Sequence, residues 1–242
     1  MIISSKKINY FDPETKEEFE GVICFDSSIP GKKPGILIAH AFGGQGEFDV
    51  NKAKELAKLG YVGFAIDMYG KGKRASTSQE AGELMRVLNE DRPLLLKRIL
   101  LALSTLKDQE EVDSNKIGAI GFCFGGKCVL DLTRSGENIQ GVVSFHGVPD
   151  KPKNKVDKPI SASILLLHGW DDPLARPDQM IELTRELTKC NADWQLLAFG
   201  HTGHAFTNPK ANSPQSGSFY KESSDKRAWQ SMVNFFEEIF SK

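Results

Sequence analysis

Residues 115–132, NKIGAIGFCFGGKCVLDL, run from one apolar segment into another through a cysteine flanked by glycines. The first segment is typical of a buried strand and the second of a helix. A strand-to-helix turn of the form G-x-C-x-G lifts its central side chain above a sheet, and the glycines let neighbouring backbone pass closely. The pattern therefore predicts a nucleophile elbow centred on Cys123. On this stretch alone, a buried structural cysteine is the alternative.

Strand-like and helical segments alternate along the rest of the chain. The other predicted strands are 18–25, 35–39, 62–66, 141–145, 164–167 and 194–198. Helical periodicity covers 48–60, 176–190 and 225–242, and the N-terminal segment is predicted to form an antiparallel edge pair around Asp12-Pro13. This alternation predicts a single α/β domain over residues 1–242, with about eight mostly parallel strands and helices on both faces of the sheet.

The charge balance limits the partners that we expect. Lys and Arg number 31 against 32 Asp and Glu, so no basic field favours nucleic acid or an anionic membrane surface. The N-terminal sequence lacks a cleavable apolar core, and the apolar runs are shorter than the roughly 20 residues that span a bilayer. The four cysteines are too few and too irregularly spaced for a disulfide framework. We expect a cytoplasmic protein with reduced thiols that binds neither nucleic acid nor membrane.

Two later segments supply an acid and a base in the order nucleophile, acid, base. SILLLHGWDDP is an apolar strand followed by Asp171 and Asp172, and WQLLAFGHTGHAF is a strand followed by His201 and His204. Because ligand chemistry in α/β folds lies at the carboxyl ends of the strands, either member of each pair is a candidate. A zinc site using the H-x-x-H pair is a further alternative. His146, at another strand end, either lines the pocket or is structural.

The chain resembles the dienelactone hydrolase family of α/β hydrolases in five stretches that occur in the family's order. They are ILIAHAFGG (36–44), LAKLGYVGFAIDMYGKG (56–72), IGFCFGG (120–126), LLLHGWDDPLARP (165–177) and GHTGHAF (200–206). The stretch around Cys123 is the most specific, since most α/β hydrolases carry serine at that position. The resemblance implies an α/β-hydrolase fold and a Cys-His-Asp triad that cleaves esters or lactones without a cofactor or a metal ion.

The resemblance also selects within the two open pairs. In the family the acid is the aspartate directly before the proline of the pattern H-G-x-x-D-P. This position points to Asp172 rather than Asp171. The base precedes a small residue and an aromatic one, which points to His204 rather than His201. In this arrangement His204 takes the proton of Cys123, Asp172 orients the imidazole, and water hydrolyses the acyl-thioester.

The negative oxygen of the intermediate needs N–H donors. The Phe124 N–H, directly after the nucleophile, is one candidate, and the resemblance places the other at Ala41 or Phe42 in the loop after the first core strand. His40 in the same loop stands where dienelactone hydrolases carry a glutamate close to the thiol. Three interpretations of His40 are open: a partner of Cys123, a substrate contact, or a loop histidine satisfied by backbone.

Substrate binding is predicted to differ from that of the enzymes that give the family its name. Those enzymes hold the dienelactone carboxylate with arginines, one of them four residues after the base, where this chain has Asn208. The other arginine belongs to segment 68–92, where Arg86 is our candidate beside Arg74 and Arg92. Apolar side chains flank the predicted pocket, namely Phe42, Phe124, Trp170 and Phe206. We therefore expect a preference for small neutral or aryl esters.

Two alternatives to an ester or lactone hydrolase are open. One is a hydrolase of other activated electrophiles, such as thioesters or phosphotriesters, because a thiolate and an oxyanion hole suit several leaving groups. The other is a non-catalytic binding protein on the same fold, since a fold alone does not fix an activity. In each case the expected partner is a small molecule, and the protein is expected to be a monomer or a small homo-oligomer.

Overall fold

The computed structural model describes residues 1–153 and 158–241 of the chain. The strands are β1 (Ile3–Phe11), β2 (Glu18–Asp26), β3 (Lys33–Ala39), β4 (Val62–Ala65), β5 (Val112–Phe122), β6 (Gly141–Phe145), β7 (Ser163–Gly169), β8 (Trp194–Phe199), β9 (Asn212–Ser213) and β10 (Ser218–Phe219). The α-helices are α1 (Glu47–Lys58), α2 (Ser78–Glu90), α3 (Arg92–Lys107), α4 (Phe124–Arg134), α5 (Pro177–Lys189) and α6 (Glu222–Ser241).

Eight of these strands form one mostly parallel sheet in the order β1-β2-β4-β3-β5-β6-β7-β8. The α/β architecture with about eight strands is thereby confirmed. The chain divides into two compact units, Met1–Ala119 and Ile120–Lys242, which are described in turn. The assignment of the whole chain to a single domain stays a prediction. Within the described ranges, none of the helices combines the length and apolarity needed to cross a membrane.

The first unit begins with the predicted antiparallel edge pair. β1 and β2 pair along their full length, from Ile3 opposite Asp26 to Phe11 opposite Glu18. β2 then pairs antiparallel with β4, and β3 pairs parallel with β4. The core of this pairing is apolar, since all four residues of β4 are buried and β3 is buried from Ile36 to Ala39.

The loop after β4 is organised by a buried carboxylate. Asp67 accepts hydrogen bonds from the backbone N–H groups of Tyr69 (3.0 Å), Gly70 (3.1 Å) and Glu20 (3.3 Å). Arg74 forms an ion pair with the same carboxylate at 3.2 Å and donates to the side chain of Gln45 at 3.0 Å. Asp67 and Arg74 therefore fix the path of the chain out of β4, toward helix α2.

The second unit holds the strands that end at the predicted site. β6, β7 and β8 are parallel, with Gly141 opposite Ser163 and Ile164 opposite Trp194, so their carboxyl ends meet at one edge. β6 is buried along its whole length, and β7 is buried from Ile164 onward. Helix α6 contributes to the core of this unit through Met232, Phe236 and other apolar side chains.

A buried ion cluster joins two helices of this unit to the segment after β6. The Arg134 guanidinium on α4 donates to both carboxylate oxygens of Glu186 on α5, at 3.0 and 2.9 Å, and to Asp131 at 3.1 Å. It also donates to the carbonyls of Pro149 (3.2 Å) and Asp150 (3.3 Å). All five donor–acceptor pairs use one side chain that is 3% exposed. Breaking such a pair leaves buried charges without compensation.

We predict that Arg134→Ala lowers the free energy of unfolding by about 3–5 kcal/mol, because it removes the guanidinium that pairs with two buried carboxylates. Urea denaturation followed by circular dichroism measures this change. Arg185→Ala is the matched control, since the Arg185–Glu182 pair is 69% and 71% exposed and should contribute at most about 1 kcal/mol. Equal losses in the two variants would contradict the prediction.

Candidate active site

Cys123 lies at a strained turn between β5 and α4. Its backbone adopts φ 56° and ψ −113°, a conformation that costs a residue with a side chain about 1–3 kcal/mol. The turn is held by the Cys123 N–H bond to the Phe145 carbonyl (3.1 Å) and by the Gly126 N–H bond to the Cys123 carbonyl (3.0 Å). A Cβ at Gly121 would collide with the Gly125 carbonyl group, so only glycine fits there. The geometry matches the predicted elbow.

Phe124, the first residue of α4, follows this turn directly. Its N–H lies in the first turn of an eleven-residue helix, where the macrodipole is positive and an anion is favoured. The phenyl ring itself is fully buried. Phe124 can therefore supply a backbone donor near the thiol, while its ring contributes to the core and not to a pocket wall.

His204 and Asp172 form a short buried pair. Nδ1 of His204 lies 2.7 Å from Oδ2 of Asp172, and the two side chains are 6% and 0% exposed. The other oxygen of Asp172 accepts the Leu174 N–H at 2.8 Å, which orients the carboxylate. In contrast, His201 and Asp171 are 3.9 Å apart with side chains that are 97% and 54% exposed. The structure thus brings the first pair together and leaves the second in solvent.

The surroundings of His204 favour its charged form. Burial lowers the pKa of this imidazole, but its contacts with Asp172 and Cys123 outweigh burial and raise the pKa to about 10. Three other histidines show the opposite shift, since burial lowers the pKa of His40 to about 4 and also lowers those of His146 and His168. Among these four buried histidines, the imidazole next to Cys123 is the one whose surroundings favour the cation.

His146 packs against His204. The two rings meet edge to face with centroids 5.1 Å apart, and Nε2 of His146 lies 2.8 Å from the Thr207 hydroxyl. His146 is 2% exposed and has a φ of 39°. Of the two interpretations that the sequence left open, this placement favours a structural role. The contribution of Thr207, which fixes His146, was not predicted.

His168 and Trp170 flank the acid on β7 and in the loop that follows. His168 is 1% exposed, and neither of its ring nitrogens has a hydrogen-bond partner among the described residues. The Trp170 ring packs edge to face on it at 6.0 Å and is 43% exposed. Trp170 is thus the exposed aromatic side chain beside Asp172.

A short hairpin, residues 212–219, holds the backbone of His204. The His204 N–H donates to the Gly217 carbonyl at 2.7 Å, and the His204 carbonyl accepts the Phe219 N–H at 3.1 Å. β9 and β10, its two strands, contain two residues each, which is too short to give an alternating pattern in the sequence. We did not predict this hairpin; Pro214 and Gly217, which has a φ of 70°, are turn signals within it.

In the first unit, both ring nitrogens of His40 bind backbone. Nε2 accepts the Met68 N–H at 3.1 Å, and Nδ1, which must then carry the proton, lies 2.6 Å from the Ala41 carbonyl. The ring is fully buried and packs on Tyr69 at 4.7 Å. These contacts favour the interpretation of His40 as a histidine satisfied by backbone. Phe42 is 38% exposed.

The other predicted substrate contacts differ in exposure. Phe206 is fully buried against His146 (5.2 Å) and Phe199 (5.5 Å), so its ring packs the core and does not form the pocket wall that we expected. Asn208 is half-buried, and its side-chain oxygen accepts the Lys210 N–H at 3.0 Å. Arg86 is exposed and pairs with Glu90 at 3.0 Å on α2.

The predicted zinc alternative has no support in the geometry. Nδ1 of His204 is engaged by Asp172, and His201 extends into solvent. Within residues 1–153 and 158–241, no group of three or more His, Cys, Asp or Glu side chains is arranged to hold a metal ion.

Comparisons with known proteins identify the family of this chain. The sequence profile of the dienelactone hydrolase family matches residues 19–240. A protein of Aquifex aeolicus (strain VF5), provisionally named carboxymethylenebutenolidase, is 29% identical over 210 residues, which cover 84% of this chain and 87% of that protein.

Two solved structures are similar over almost the whole chain, each at 31% identity. One is m3DLH, with a TM-score of 0.94, covering 99% of this chain and 100% of that one. The other is a dienelactone hydrolase-like promiscuous phosphotriesterase from metagenomic libraries, with a TM-score of 0.92 and 99% coverage of both chains. The predicted family and the prediction of an enzyme are confirmed: this chain belongs to the dienelactone hydrolase family and is a lactone or ester hydrolase.

Proposed function

We propose that this enzyme hydrolyses small neutral carboxylic esters through a triad of Cys123, His204 and Asp172. The observation that carries the proposal is the buried 2.7 Å contact between Asp172 and His204. Cys123, on a strand-to-helix turn, is close enough to raise the pKa of the same imidazole. A nucleophile, a base that can reach it and an acid that orients the base are the three groups required for acyl transfer through a covalent intermediate.

The proposed reaction has two halves. Nε2 of His204 holds the proton taken from Cys123, and the Cys123 sulfur attacks the ester carbonyl carbon; collapse of the tetrahedral intermediate then expels the alcohol, which takes that proton from Nε2. Water attacks the resulting acyl-thioester, giving its proton to His204 and releasing the acid and the free thiol. The Phe124 N–H stabilises the oxyanion in both halves, and a second donor at Ala41 or Phe42 stays a prediction.

Asp172 has an electrostatic role in this scheme. Because its carboxylate binds Nδ1 of His204, the imidazole keeps the tautomer whose Nε2 can accept a proton, and the cation that forms is stabilised. The raised pKa of His204 has the same origin. A protonated His204 also places a positive charge beside the Cys123 sulfur.

The preference for neutral substrates rests on the residues that would bind a carboxylate. Asn208 replaces the arginine of the family's dienelactone-cleaving enzymes and has no charge, and its oxygen is occupied by Lys210 N–H. Arg74 is engaged by Asp67 and Gln45, and Arg92 is buried at the start of α3. Arg86 is the exposed candidate that remains. Trp170 offers an apolar surface beside the acid, which suits an aryl or short alkyl group.

A second candidate activity is phosphotriester hydrolysis. The observation in its favour is the similarity, at 31% identity, to a structure described as a promiscuous phosphotriesterase. In that case Cys123 sulfur would attack phosphorus, the aryloxide would leave, and water would release the phosphodiester from the sulfur. The substrate comparison given below separates the two candidates.

We predict that Cys123→Ala, Asp172→Asn and His204→Ala each reduce kcat for p-nitrophenyl butyrate by about a thousandfold or more, the usual scale for loss of a triad member. Asp171→Asn and His201→Ala are the matched controls, because they change the neighbouring exposed pair, and each should stay within about threefold of wild type. Steady-state kinetics on purified variants provides the test. A severe loss in either control, with a mild one in its partner, would reverse the assignment.

We predict that iodoacetamide alkylates Cys123 at pH 6, where an ordinary thiol is almost entirely protonated. The reason is the raised pKa of His204, which keeps a cation beside the sulfur until the pH approaches about 10. His204→Ala should slow the reaction at pH 6 by at least about tenfold, and this difference should shrink above pH 9, where every accessible thiol ionises. Mass spectrometry should map the label to Cys123 and not to Cys128, which is fully buried. A rate that does not depend on His204 at pH 6 would contradict the proposed pair.

We predict a higher kcat/KM for p-nitrophenyl butyrate than for dienelactone or for the phosphotriester paraoxon. Asn208→Arg should improve kcat/KM on dienelactone by about 10- to 150-fold, the range that corresponds to about 1.5–3 kcal/mol for a charged hydrogen bond, and should leave the neutral ester within about threefold. Asn208→Gln is the control for size without charge. A wild-type preference for dienelactone would show that another cation, such as Arg86, binds the carboxylate, and a preference for paraoxon would favour the second candidate.

A further inference from the structure

Three glycines from separate loops lie in direct contact beside His204 and Asp172. Gly169 ends β7, just before the acid loop, residues 170–173. Gly203 belongs to the base loop, residues 201–208, and Gly217 belongs to the hairpin 212–219. A Cβ placed on Gly169 would collide with the Gly203 carbonyl and lie 2.5 Å from the Thr202 carbonyl. The backbones of the acid and base loops therefore touch with no side chain between them.

The contact continues from the base loop to the hairpin. A Cβ on Gly203 would collide with the Gly217 carbonyl oxygen, the same oxygen that accepts the His204 N–H at 2.7 Å. The approach is possible because residue 203 has no side chain. One carbonyl thus determines where the backbone of His204 lies.

The hairpin also touches the acid loop. A Cβ on Gly217 would lie 2.7 Å from Cδ and 2.9 Å from Cγ of Pro173, the residue after Asp172. Real Cβ atoms are not found at such distances, and a proline ring cannot rotate away. Gly217 is therefore in contact with the neighbours of both the acid and the base.

Hydrogen bonds join the same loops. The Asp171 N–H donates to the Thr202 carbonyl at 3.0 Å, and the Trp170 N–H donates to the Phe199 carbonyl at 2.9 Å. The hydrogen bonds therefore hold the two loops in direct backbone-to-backbone contact, with no room for a side chain between them. A methyl group on any of the three glycines would separate elements that carry Asp172 and His204.

We propose that Gly169, Gly203 and Gly217 are positioning residues that set the 2.7 Å distance between Asp172 and His204. This inference rests on the proposed function, because that distance matters only if the pair acts on Cys123. The three glycines touch no substrate and act through the backbone of the two loops. A displacement of about 1 Å in such a constellation can reduce a rate by about a hundredfold.

The test compares Gly203→Ala and Gly217→Ala with two matched controls. Gly200→Ala changes a glycine next to the base loop with no atom within 4 Å of its Cβ position. Gly136→Ala has φ +84°, close to the +70° of Gly217, and also has no atom within 4 Å. Gly136→Ala therefore carries the left-handed strain of Gly217→Ala without its contact with Pro173.

Gly203→Ala and Gly217→Ala should lower kcat for p-nitrophenyl butyrate by about 10- to 100-fold, with KM within about twofold. Both controls should keep kcat within about twofold of wild type. The pH at which iodoacetamide alkylation of Cys123 is half-maximal should rise in the two test variants toward the value for His204→Ala, and should not move in the controls. A loss of stability alone would lower the folded fraction and leave that midpoint unchanged.

Pro173→Ala combined with Gly217→Ala covers the case in which Gly217→Ala does not fold. Pro173→Ala removes the two ring atoms that the new methyl group of residue 217 would meet. In the double variant, kcat should therefore return to within about fivefold of the Gly136→Ala value. The inference is overturned if this double variant shows no rescue, or if each test variant matches its control in kcat and in alkylation midpoint. Failure of the proposed function looks different, since Cys123→Ala would then keep its esterase activity while the alkylation midpoints still report on the spacing.

Discussion

The left-handed backbone of Cys123 is the constraint around which the site of this enzyme is arranged. A side chain at φ 56° is strained, and the turn persists because Phe145 and Gly126 hold both of its backbone polar groups. The same turn ends β5 and begins α4, so the thiol lies at the positive end of a helix without a flexible loop on either side. In the proposed triad, the positions of Asp172 and His204 matter only relative to this fixed sulfur. The glycines around Cys123 are the part of the sequence that this tight turn requires.

Much of the fold could be predicted from the sequence, because parallel strands buried on both faces are continuous apolar runs. The predicted bounds of β3, β4, β6 and β7 agree with the structure to within two residues. β5 was predicted only from Ile117 onward, since its first half is polar and largely exposed in the structure. Helix α3 was not singled out because LLLKRILLAL is apolar on nearly every side and gives no clear helical period.

The candidate site residues that lie in short sequence motifs could be predicted. The elbow glycines and the strand-end positions of the two Asp and two His candidates depend on local sequence, and the resemblance to the family then selected Asp172 and His204. Burial depends on the whole fold, and for that reason Phe206 was expected in a pocket wall and lies in the core. The hairpin that contacts His204 was not predicted because its contacts are hydrogen bonds between backbone groups. Most residue types can form such bonds, so the sequence does not reveal them.

The four cysteines of this chain differ in one respect that affects its chemical durability. Cys24, Cys128 and Cys190 are buried, and Cys123 is partly exposed beside the His204 imidazole, whose charged form is favoured. Oxidants react with accessible thiolates first, and the buried sulfurs are too enclosed to act as sacrificial scavengers. In an oxidising medium the sulfur of Cys123 is therefore the first of the four to be lost, and the exposure that causes this loss is the same exposure that the proposed attack on a carbonyl requires.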